Sequence, residues 1–175
     1  MLTPLGFWFL LALLFAALLV IWIGWSQFVG AGWGPTPGAS VDKMLDLAQI
    51  SEGDVLYDLG CGDGRIVIRA AKKYGIRAVG FEIDPIRAWF SRVRVKSNGV
   101  RDRVEIVQRN FFDADLSPAT VVSIFLTQKA NQRLKAKLLS LKPGTRVVTY
   151  TWTFEGWEPE RVDKELRTYL YVVGH

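Results

Sequence analysis

The sequence contains only one cysteine, Cys61, and one histidine, His175. A single cysteine excludes an intramolecular disulfide framework, and one cysteine with one histidine argues against a structural zinc site. Charge is also missing from the first 41 residues, so all 22 basic and 17 acidic side chains lie from Asp42 onward. Because half of the 175 residues are apolar, intrinsic disorder is excluded. The chain therefore joins an uncharged segment to a charged, globular remainder.

The uncharged segment contains one long apolar run, Leu5–Trp25, interrupted only by Gly6 and Gly24. A helix of this length matches the hydrocarbon core of a bilayer, which is about 30 Å thick. A cleaved signal peptide has a shorter apolar region of about 7–15 residues, preceded by basic side chains. A buried core helix would show some polar residues along one face. The run therefore predicts a single transmembrane helix, with aromatic rings at the headgroup level at both ends, Phe7, Trp8, Trp22, Trp25 and Trp33.

The flanks of this run predict an orientation. Every basic side chain follows it, so the positive-inside rule places the remainder of the chain on the cytoplasmic side of the membrane. Residues 26–40 contain four glycines and two prolines without periodicity, which is typical of a linker. We expect an anchor over residues 1–29, a linker over residues 30–39 and a folded domain over residues 40–175.

The folded domain alternates between short apolar runs and amphipathic segments. Helices are predicted at residues 41–49, with Ser40 as the N-cap, and at 65–74, 85–99 and 128–141. Strands are predicted at residues 54–59, 78–83, 103–108, 120–126 and 145–151, with a last one within 165–173. This alternation indicates an α/β fold with a mostly parallel sheet and helices on both faces. The last two strands lack a helix between them, which predicts an antiparallel pair at the end of the sheet.

A glycine-rich loop, Gly60–Gly64, follows the first strand and opens the next helix. Its spacing, G-x-G-x-G, differs from the G-x-G-x-x-G of dinucleotide sites, and no G-K-[ST] of a Walker A loop is present. Asp58 precedes the loop and would repel a pyrophosphate, but it would attract a cation such as an α-amino group or a sulfonium. Glu82 ends the second strand, where a carboxylate can accept both hydroxyls of a ribose. The pattern favours S-adenosylmethionine over NAD, and a glycine turn without a ligand is the alternative.

Polar and aromatic residues follow the third strand, where adenine would lie if the ribose binds Glu82. Phe111 can pack on the base, and Asn110, Asp113 or Asp115 can accept a hydrogen bond from its exocyclic amine. Phe112 is interpreted as a core residue, and Asp115 also suits a simple turn.

These motifs resemble a known family. The segment VLYDLGCGDGR, residues 55–65, is close to the first motif of class I S-adenosylmethionine-dependent methyltransferases. Residues 35–175 are similar to the small archaeal protein-lysine methyltransferases and to the related membrane-anchored mitochondrial enzymes. The resemblance rests on Pro35-Thr36-Pro37, NFFDADLSPATVVSIFL (110–126), LKPGTRVVTY (141–150), Gly156-Trp157 and YLYVVG (169–174).

The resemblance implies a Rossmann-like class I methyltransferase sheet, S-adenosylmethionine as the donor and a lysine amine as the acceptor. It supports a set of cofactor-binding residues consisting of Asp58, Gly60, Cys61, Gly62, Asp63, Gly64, Glu82, Asn110 and Phe111. The Asn-Pro-Pro-Tyr tetrapeptide of many amino-methylating enzymes is absent, and Phe125-Leu126-Thr127-Gln128 stands in its place. No metal and no nucleic acid are expected as partners.

The acceptor pocket is expected at the ends of the fourth and fifth strands. A lysine must lose its proton before it can accept a methyl group, and an apolar pocket lowers the pKa of its amine. The candidates for this pocket are Phe125, Leu126, Thr127, Tyr150 and Trp152, and no general base is assigned. Two other hypotheses stay open at this point, a small or lipidic acceptor such as a phospholipid headgroup or quinone, and a non-catalytic adenosyl-binding module.

Basic residues are concentrated on two predicted helices, at Arg87, Arg92, Arg94 and Lys96, and at Lys129, Arg133, Lys135 and Lys137. They suit either contact with anionic lipid or an ordinary solvated helix face. Trp89 and Phe90 are interpreted as part of the buried face of their helix.

Overall fold

The computed structural model describes residues 6–17 and 34–174. Residues 6–17 form helix α1, and its large apolar side chains are exposed. Among the described residues, no helix combines the length and the apolar character needed to cross a bilayer. Much of the predicted span lies outside the described residues, together with Trp22, Trp25 and Trp33.

The remaining elements follow the predicted alternation of strands and helices. The helices are α2 (Gly38–Leu47), α3 (Arg65–Tyr74), α4 (Pro85–Ser97) and α5 (Gln128–Leu139). The strands are β1 (Val55–Leu59), β2 (Arg77–Glu82), β3 (Val104–Gln108), β4 (Val121–Ile124), β5 (Arg146–Tyr150), β6 (Arg161–Asp163) and β7 (Thr168–Val172). A single 3₁₀ turn, Phe111–Asp113, follows β3.

The strands form one seven-stranded sheet in the order β3-β2-β1-β4-β5-β7-β6. The first five strands are parallel, and β7 is antiparallel to both β5 and β6. The chain moves outward from β1 to β3 and then returns to place β4 on the other side of β1. In open parallel sheets, ligands bind at the carboxyl ends of the strands beside such a switch point. The register sets Asp58 of β1 between Gly80 of β2 and Ser123 of β4.

Each face of the sheet carries its own apolar cluster. Helices α2, α3 and α4 cover one face, where Met44, Val67 and Ala88 are fully buried. Helix α5 and an aromatic group cover the other face, and the rings of Phe154, Trp157 and Tyr171 lie 5.0–5.2 Å apart. The layered α/β architecture predicted from the sequence is therefore present.

The first helix of the domain starts earlier than predicted. Helix α2 begins at Gly38 after Pro37, and Ser40 lies within it as a buried residue. Its hydroxyl donates to the carbonyl of Leu166, at 3.4 Å, so the predicted N-cap at Ser40 is wrong. Lys43 of the same helix pairs with Asp163 at 3.0 Å. Helix α2 therefore ties the start of the domain to its last strands.

The end of the sheet also differs from the prediction. The expected antiparallel pair exists between β5 and β7, but a further strand, β6, lies outside β7. Strand β6 has three residues and is largely exposed, so it lacks the apolar run that identifies a strand in sequence.

Helix α4 presents a surface that the sequence interpretation placed in the core. Asp84 caps the helix by accepting from the amides of Ile86 and Arg87, at 2.9 and 3.0 Å. The buried side of the helix consists of Ala88, Ser91 and Val95. Trp89 and Phe90 are instead exposed, so their interpretation as buried residues is wrong.

A buried ion pair joins β5 to the loop before β1. Arg146 pairs with Asp54, and its Nη1 donates to the carbonyls of Ala48 and Gln49 at 2.9 and 3.0 Å. Burial raises the pKa of Asp54, but the amide of Ser51, the hydroxyl of Thr120 and the guanidinium outweigh it, so the pKa ends below its ordinary value.

Arg146→Met is expected to lower the free energy of unfolding by about 3 kcal/mol, because it leaves a buried carboxylate and two carbonyls without their partner. Urea denaturation followed by tryptophan fluorescence measures the change. The matched control is Arg77→Met, whose pair with Glu105 is exposed and 3.7 Å long, and which should change stability by less than about 0.5 kcal/mol. Equal effects of the two substitutions would contradict the prediction.

Candidate active site

The glycine loop between β1 and α3 is fixed by its own amides. The amides of Gly60 and Cys61 both donate to the carbonyl of Phe81 at 2.9 Å, and the amide of Gly62 donates to Glu82 Oε2 at 3.0 Å. The amide of Gly64 donates to the carbonyl of Cys61 at 2.8 Å. A pyrophosphate site needs amides that point at the ligand, and four amides of this loop are already used. The geometry therefore agrees with the sequence argument against a dinucleotide.

Asp58 lies at the carboxyl end of β1 and is buried. The hydroxyl of Ser123 donates to its Oδ1 at 2.7 Å. Burial raises the pKa of Asp58 to about 7, and the charges of Asp63 and Glu82 act in the same direction against the Ser123 hydrogen bond. A buried acid with a raised pKa at the edge of a sheet is typical of a functional site, because a cationic ligand can supply the charge that the protein withholds.

Glu82 connects the glycine loop to the start of α4. Its two carboxylate oxygens accept from the amides of Gly62 and Asp84, at 3.0 and 2.9 Å. Burial raises its pKa, and the two amide hydrogen bonds oppose the shift. Each oxygen has a second lone pair, so the fixed carboxylate can still accept hydroxyl groups from a ligand.

The space around the loop explains why two of its positions are glycine. Gly60 has a φ of +83°, and a Cβ there would lie 2.9 Å from Cδ2 of Leu126. Gly64 has a φ of +75°, and a Cβ there would lie 2.3 Å from the hydroxyl of Ser91. Side chains at these positions would fill the carboxyl edge of the sheet. The loop therefore keeps this edge open for a ligand, and the residues present fit an adenosyl group carrying an amino acid cation.

Cys61, one of the predicted cofactor residues, turns its side chain away from this edge. The thiol packs beside Gly80, where an added Cβ would lie 2.7 Å from its Sγ. Burial raises the pKa of this thiol well above its ordinary value. Only the backbone of Cys61 is left to meet a ligand at the open edge.

Asp63, another predicted cofactor residue, is held by two arginines. It pairs with Arg65 at 2.8 Å and also with Arg94 of α4. Burial pushes its pKa up, but the hydrogen bond and charge of Arg65 and the charge of Arg94 leave the pKa below its ordinary value. In this arrangement Asp63 fixes the loop between α3 and α4.

The residues after β3 exchange their expected positions. The side chain of Asn110 accepts from the amide of Phe112 at 3.1 Å and so caps the 3₁₀ turn. Phe111 is buried beside Gly60, whereas Phe112 is half-buried with the guanidinium of Arg133 4.1 Å from its ring centre. Asp113 is exposed. Asp115 is also exposed and accepts from the amide and hydroxyl of Ser117, as expected of a turn residue.

The five acceptor-pocket candidates lie at the carboxyl ends of β4 and β5. The rings of Phe125 and Tyr150 meet edge to face at 4.7 Å. Leu126 is buried against the glycine loop, and Thr127 caps α5 by accepting from the amide of Ala130 at 3.3 Å. Trp152 is partly exposed. The structure brings an aromatic wall and an exposed indole to the same edge as Asp58.

Sequence reasoning missed three features of this edge. Ser123 has no signal in the sequence, because only the register of β4 against β1 reveals that it faces Asp58. Ile83 follows Glu82 and is exposed, and an exposed aliphatic residue beside a buried acid is a signal that could have found it. Residues 34–36 also cross the edge. A Cβ at Gly34 would lie 3.7 Å from the ring of Phe125, and the carbonyl of Thr36 accepts from Arg65 at 2.9 Å.

Ser123→Ala is expected to weaken binding of the adenosyl ligand about tenfold, since hydrogen bonds to charged groups contribute about 1.5–3 kcal/mol. Loss of the hydroxyl raises the pKa of Asp58 further and leaves less carboxylate to attract a cation. Isothermal titration calorimetry measures the affinity. Ser117→Ala, which alters an exposed turn, is the control, and an unchanged affinity in Ser123→Ala would contradict the assigned contact.

Comparisons with known proteins agree with this geometry. Residues 58–161 match a family described as the ANTKMT methyltransferase domain. A protein-lysine N-methyltransferase of Saccharolobus islandicus is 47% identical over 148 residues, covering 80% of this chain and 92% of that protein. A lysine N-methyltransferase of Homo sapiens that is named for ATP synthase is 33% identical over 132 residues, covering 75% of this chain and 56% of that longer protein.

A solved structure gives the same picture at the level of coordinates. A crystal structure described as an RNA methyltransferase from Salinibacter ruber, in complex with S-adenosyl-L-homocysteine, has a TM-score of 0.78 and 48% identity. It covers 80% of this chain and 94% of that one. The resemblance stated from the sequence is confirmed, and so are the class I methyltransferase sheet and the use of S-adenosylmethionine.

Proposed function

The chain belongs to the ANTKMT methyltransferase family, and from that premise we propose that it methylates lysine side chains of proteins at or near a membrane. It is an S-adenosylmethionine-dependent methyltransferase. The observation that carries the proposal is the buried carboxyl of Asp58, held by Ser123 beside a loop whose amides are already used. This arrangement suits a cationic amino acid attached to adenosine.

The residues of the open edge divide the ligand among them. Asp58 attracts the α-amino group, Glu82 accepts the ribose hydroxyls, and Ile83 offers an apolar surface to the adenine. The glycines of the loop allow the ligand to approach the backbone closely. The sulfonium of the bound cofactor supplies a methyl group with a neutral leaving group, so no strong acid is required of the protein.

The acceptor side of the site is aromatic. A lysine amine attacks only when it is neutral, and its N–C bond forms as the S–C bond breaks, which leaves the positive charge on the methylated amine. Phe125, Tyr150 and Trp152 exclude water from this region and lower the pKa of an entering lysine. Their positions at the ends of β4 and β5 orient the amine toward the ligand, and orientation alone can contribute several orders of magnitude in rate.

The membrane part of the proposal rests on the N-terminal segment. Residues 6–17 are helical with exposed apolar side chains, and the first 41 residues carry no charge. Residues 34–36 lead from this segment directly across the mouth of the site. We propose a single-pass anchor, with the catalytic domain on the cytoplasmic side and the site held close to the bilayer.

The experiment that tests the proposed function follows the methyl group. Native membranes are incubated with the protein and methyl-labelled S-adenosylmethionine, and the label is separated into protein, lipid and RNA fractions. Label in discrete protein bands that yield methylated lysine on hydrolysis, and that disappear with Asp58→Ala, supports the proposal. Label in the lipid fraction assigns a phospholipid or quinone acceptor. No label in any fraction, with the cofactor still bound, indicates a non-catalytic module.

One observation favours a second candidate acceptor. The Salinibacter ruber protein, 48% identical to this chain, is described as an RNA methyltransferase. Label in the RNA fraction that resists protease and is released by ribonuclease would assign that chemistry to this chain and overturn the lysine proposal.

Deletion of residues 1–30 is expected to lower methylation of membrane-embedded targets at least tenfold, because the second binding event then loses its effective concentration. Affinity for S-adenosylmethionine should stay unchanged, since Thr36 and its contact with Arg65 are retained. Initial rates on reconstituted membranes and calorimetric titration measure the two effects. Equal loss of both would argue that the segment supports the fold instead of the location.

A further inference from the structure

The outer side of α4 carries an apolar stripe with no counterpart elsewhere among the described residues of the domain. Ile86, Trp89, Phe90 and Val93 are 55%, 63%, 48% and 45% exposed. Their spacing of three and four residues sets all four on one side of the helix. We call these four residues the α4 apolar face. Exposed apolar stripes of this kind mark an interaction surface.

A basic groove runs beside the α4 apolar face. It has a volume of about 830 Å³ and lies between α4 and the edge strand β3. Two acidic side chains line it, Asp102 and Glu105, against five basic ones, Arg77, Arg92, Lys96, Arg101 and Arg103. The groove is therefore net positive and directly adjoins Trp89 and Val93.

We propose that the α4 apolar face and its basic groove lie on an anionic phospholipid bilayer. This inference rests on the membrane part of the proposed function and adds a second contact to the anchor. Indole and phenyl rings are favoured at the depth of the headgroups, and nearby lysines and arginines attract anionic lipids. The chemistry of the surface matches the bilayer in both its apolar and its charged part.

Two other occupants fit less well. Single-stranded nucleic acid stacks on aromatic rings, but half of the face consists of the aliphatic residues Ile86 and Val93. A second copy of the chain, related by a two-fold axis, would set the two basic grooves against one another. The bilayer satisfies the apolar stripe and the positive charge together.

The position of α4 gives this contact a consequence for the site. The helix begins directly after Glu82, at the carboxyl end of β2, which is the edge that holds Asp58. Residues 34–36 cross the same edge. Contact through α4 and through the N-terminal segment together would turn the open edge toward the membrane surface.

The test places a spin label on the face and a matched label elsewhere. Val93→Cys and Val162→Cys exchange two valines of similar exposure, 45% and 42%. Val162 lies on β6, at the end of the sheet opposite to β3. The native Cys61 is buried, so the label attaches at the introduced position. The full chain is reconstituted into vesicles of phosphatidylcholine and phosphatidylglycerol.

Collision rates with molecular oxygen and with a water-soluble nickel complex report where each label lies. We expect the Val93 label to collide mainly with oxygen, which concentrates in lipid, and the Val162 label to collide mainly with the nickel complex. A Val93 label open to the nickel complex would overturn the proposal, and immobilisation of that label by added single-stranded RNA would assign the face to nucleic acid. A label shielded from both reagents would assign it to protein.

Charge is tested on the same labelled chain. Lys96→Gln and Arg101→Gln should each reduce the ratio of lipid-inserted to water-exposed label about fivefold, and neutral vesicles should do the same. An unchanged ratio would overturn the role of the groove. Flotation separates this result from the anchor, because a chain that floats with an exposed Val93 label contradicts the α4 contact alone. The methyl-labelling experiment is unaffected by either outcome.

Discussion

Asp58→Asn is expected to lower the affinity for S-adenosylmethionine about a hundredfold, the value of about 3 kcal/mol for a lost charged contact. The asparagine keeps the size of the side chain and can still accept from Ser123. It removes only the negative charge that faces the amino acid part of the cofactor. The loss should therefore appear in cofactor binding and leave the sheet intact.

The same substitution is expected to stabilise the fold above about pH 7. Burial raises the pKa of Asp58 to about 7, well above the ordinary value of about 3.9 that an aspartate has in an unfolded chain. Ionising this carboxyl therefore costs free energy in the folded protein but not in the unfolded chain. A raised acid contributes stability at low pH that disappears as the pH rises through this window. The advantage of asparagine should grow between about pH 4 and about pH 7 and then stay constant, at about 2–4 kcal/mol.

Calorimetry and thermal unfolding across this pH range measure the two effects. Wild-type affinity for the cofactor should rise about tenfold per pH unit below the pKa of about 7, whereas the variant should show no such slope. Asp115→Asn is the control, because that carboxylate is exposed in a turn with Ser117. An affinity loss without a stability gain would contradict the assignment of Asp58 as a buried, functional carboxyl.

Gly64→Ala is expected to destabilise the protein by about 3 kcal/mol or more and to abolish measurable cofactor binding. The positive φ of +75° costs an L-residue about 1–2 kcal/mol. The added Cβ would also lie 2.3 Å from the hydroxyl of Ser91, which is fully buried. Overlap at this distance forces the glycine loop away from α4, and overpacking of this kind costs about 1–3 kcal/mol.

A second substitution separates the two causes. Ser91 Oγ makes no hydrogen bond to another oxygen or nitrogen, so Ser91→Ala alone should have little effect. Combined with Gly64→Ala, it should recover the overlap part and leave the backbone strain. Gly99→Ala measures that strain by itself, because Gly99 has a φ of +69° and no atom within 4 Å of an added Cβ. Failure of the double variant to exceed Gly64→Ala in stability would contradict the overlap.

The parallel core of the fold was predictable because its signals are local. Helix α3 runs from Arg65 to Tyr74 as predicted and ends at Gly75 in the left-handed conformation. The buried strands read as short apolar runs, and the glycine loop lies between a strand and a helix as its spacing indicates. The position of Asp58 and Glu82 at one edge follows from the parallel topology alone.

The parts that failed depend on contacts distant in sequence. Ser40 has the chemistry of an N-cap, but its hydroxyl reaches Leu166 on the other side of the domain. Two adjacent phenylalanines cannot be assigned to core and surface without knowing that Arg133 lies over Phe112. Likewise, nothing near Asp63 indicates that Arg94 of α4 pairs with it. The cofactor roles of these residues stay predictions.

The place of β7 inside the sheet sets the order in which the protein can be made. This strand follows the other six in the chain, yet it lies between β5 and β6 and packs beneath α2 at the beginning of the domain. During synthesis the uncharged N-terminal segment leaves the ribosome well before the strand that completes the sheet. Closure of the domain must therefore wait until β7 has emerged. With the proposed anchor, such an enzyme would reach its membrane address before it could consume its first cofactor.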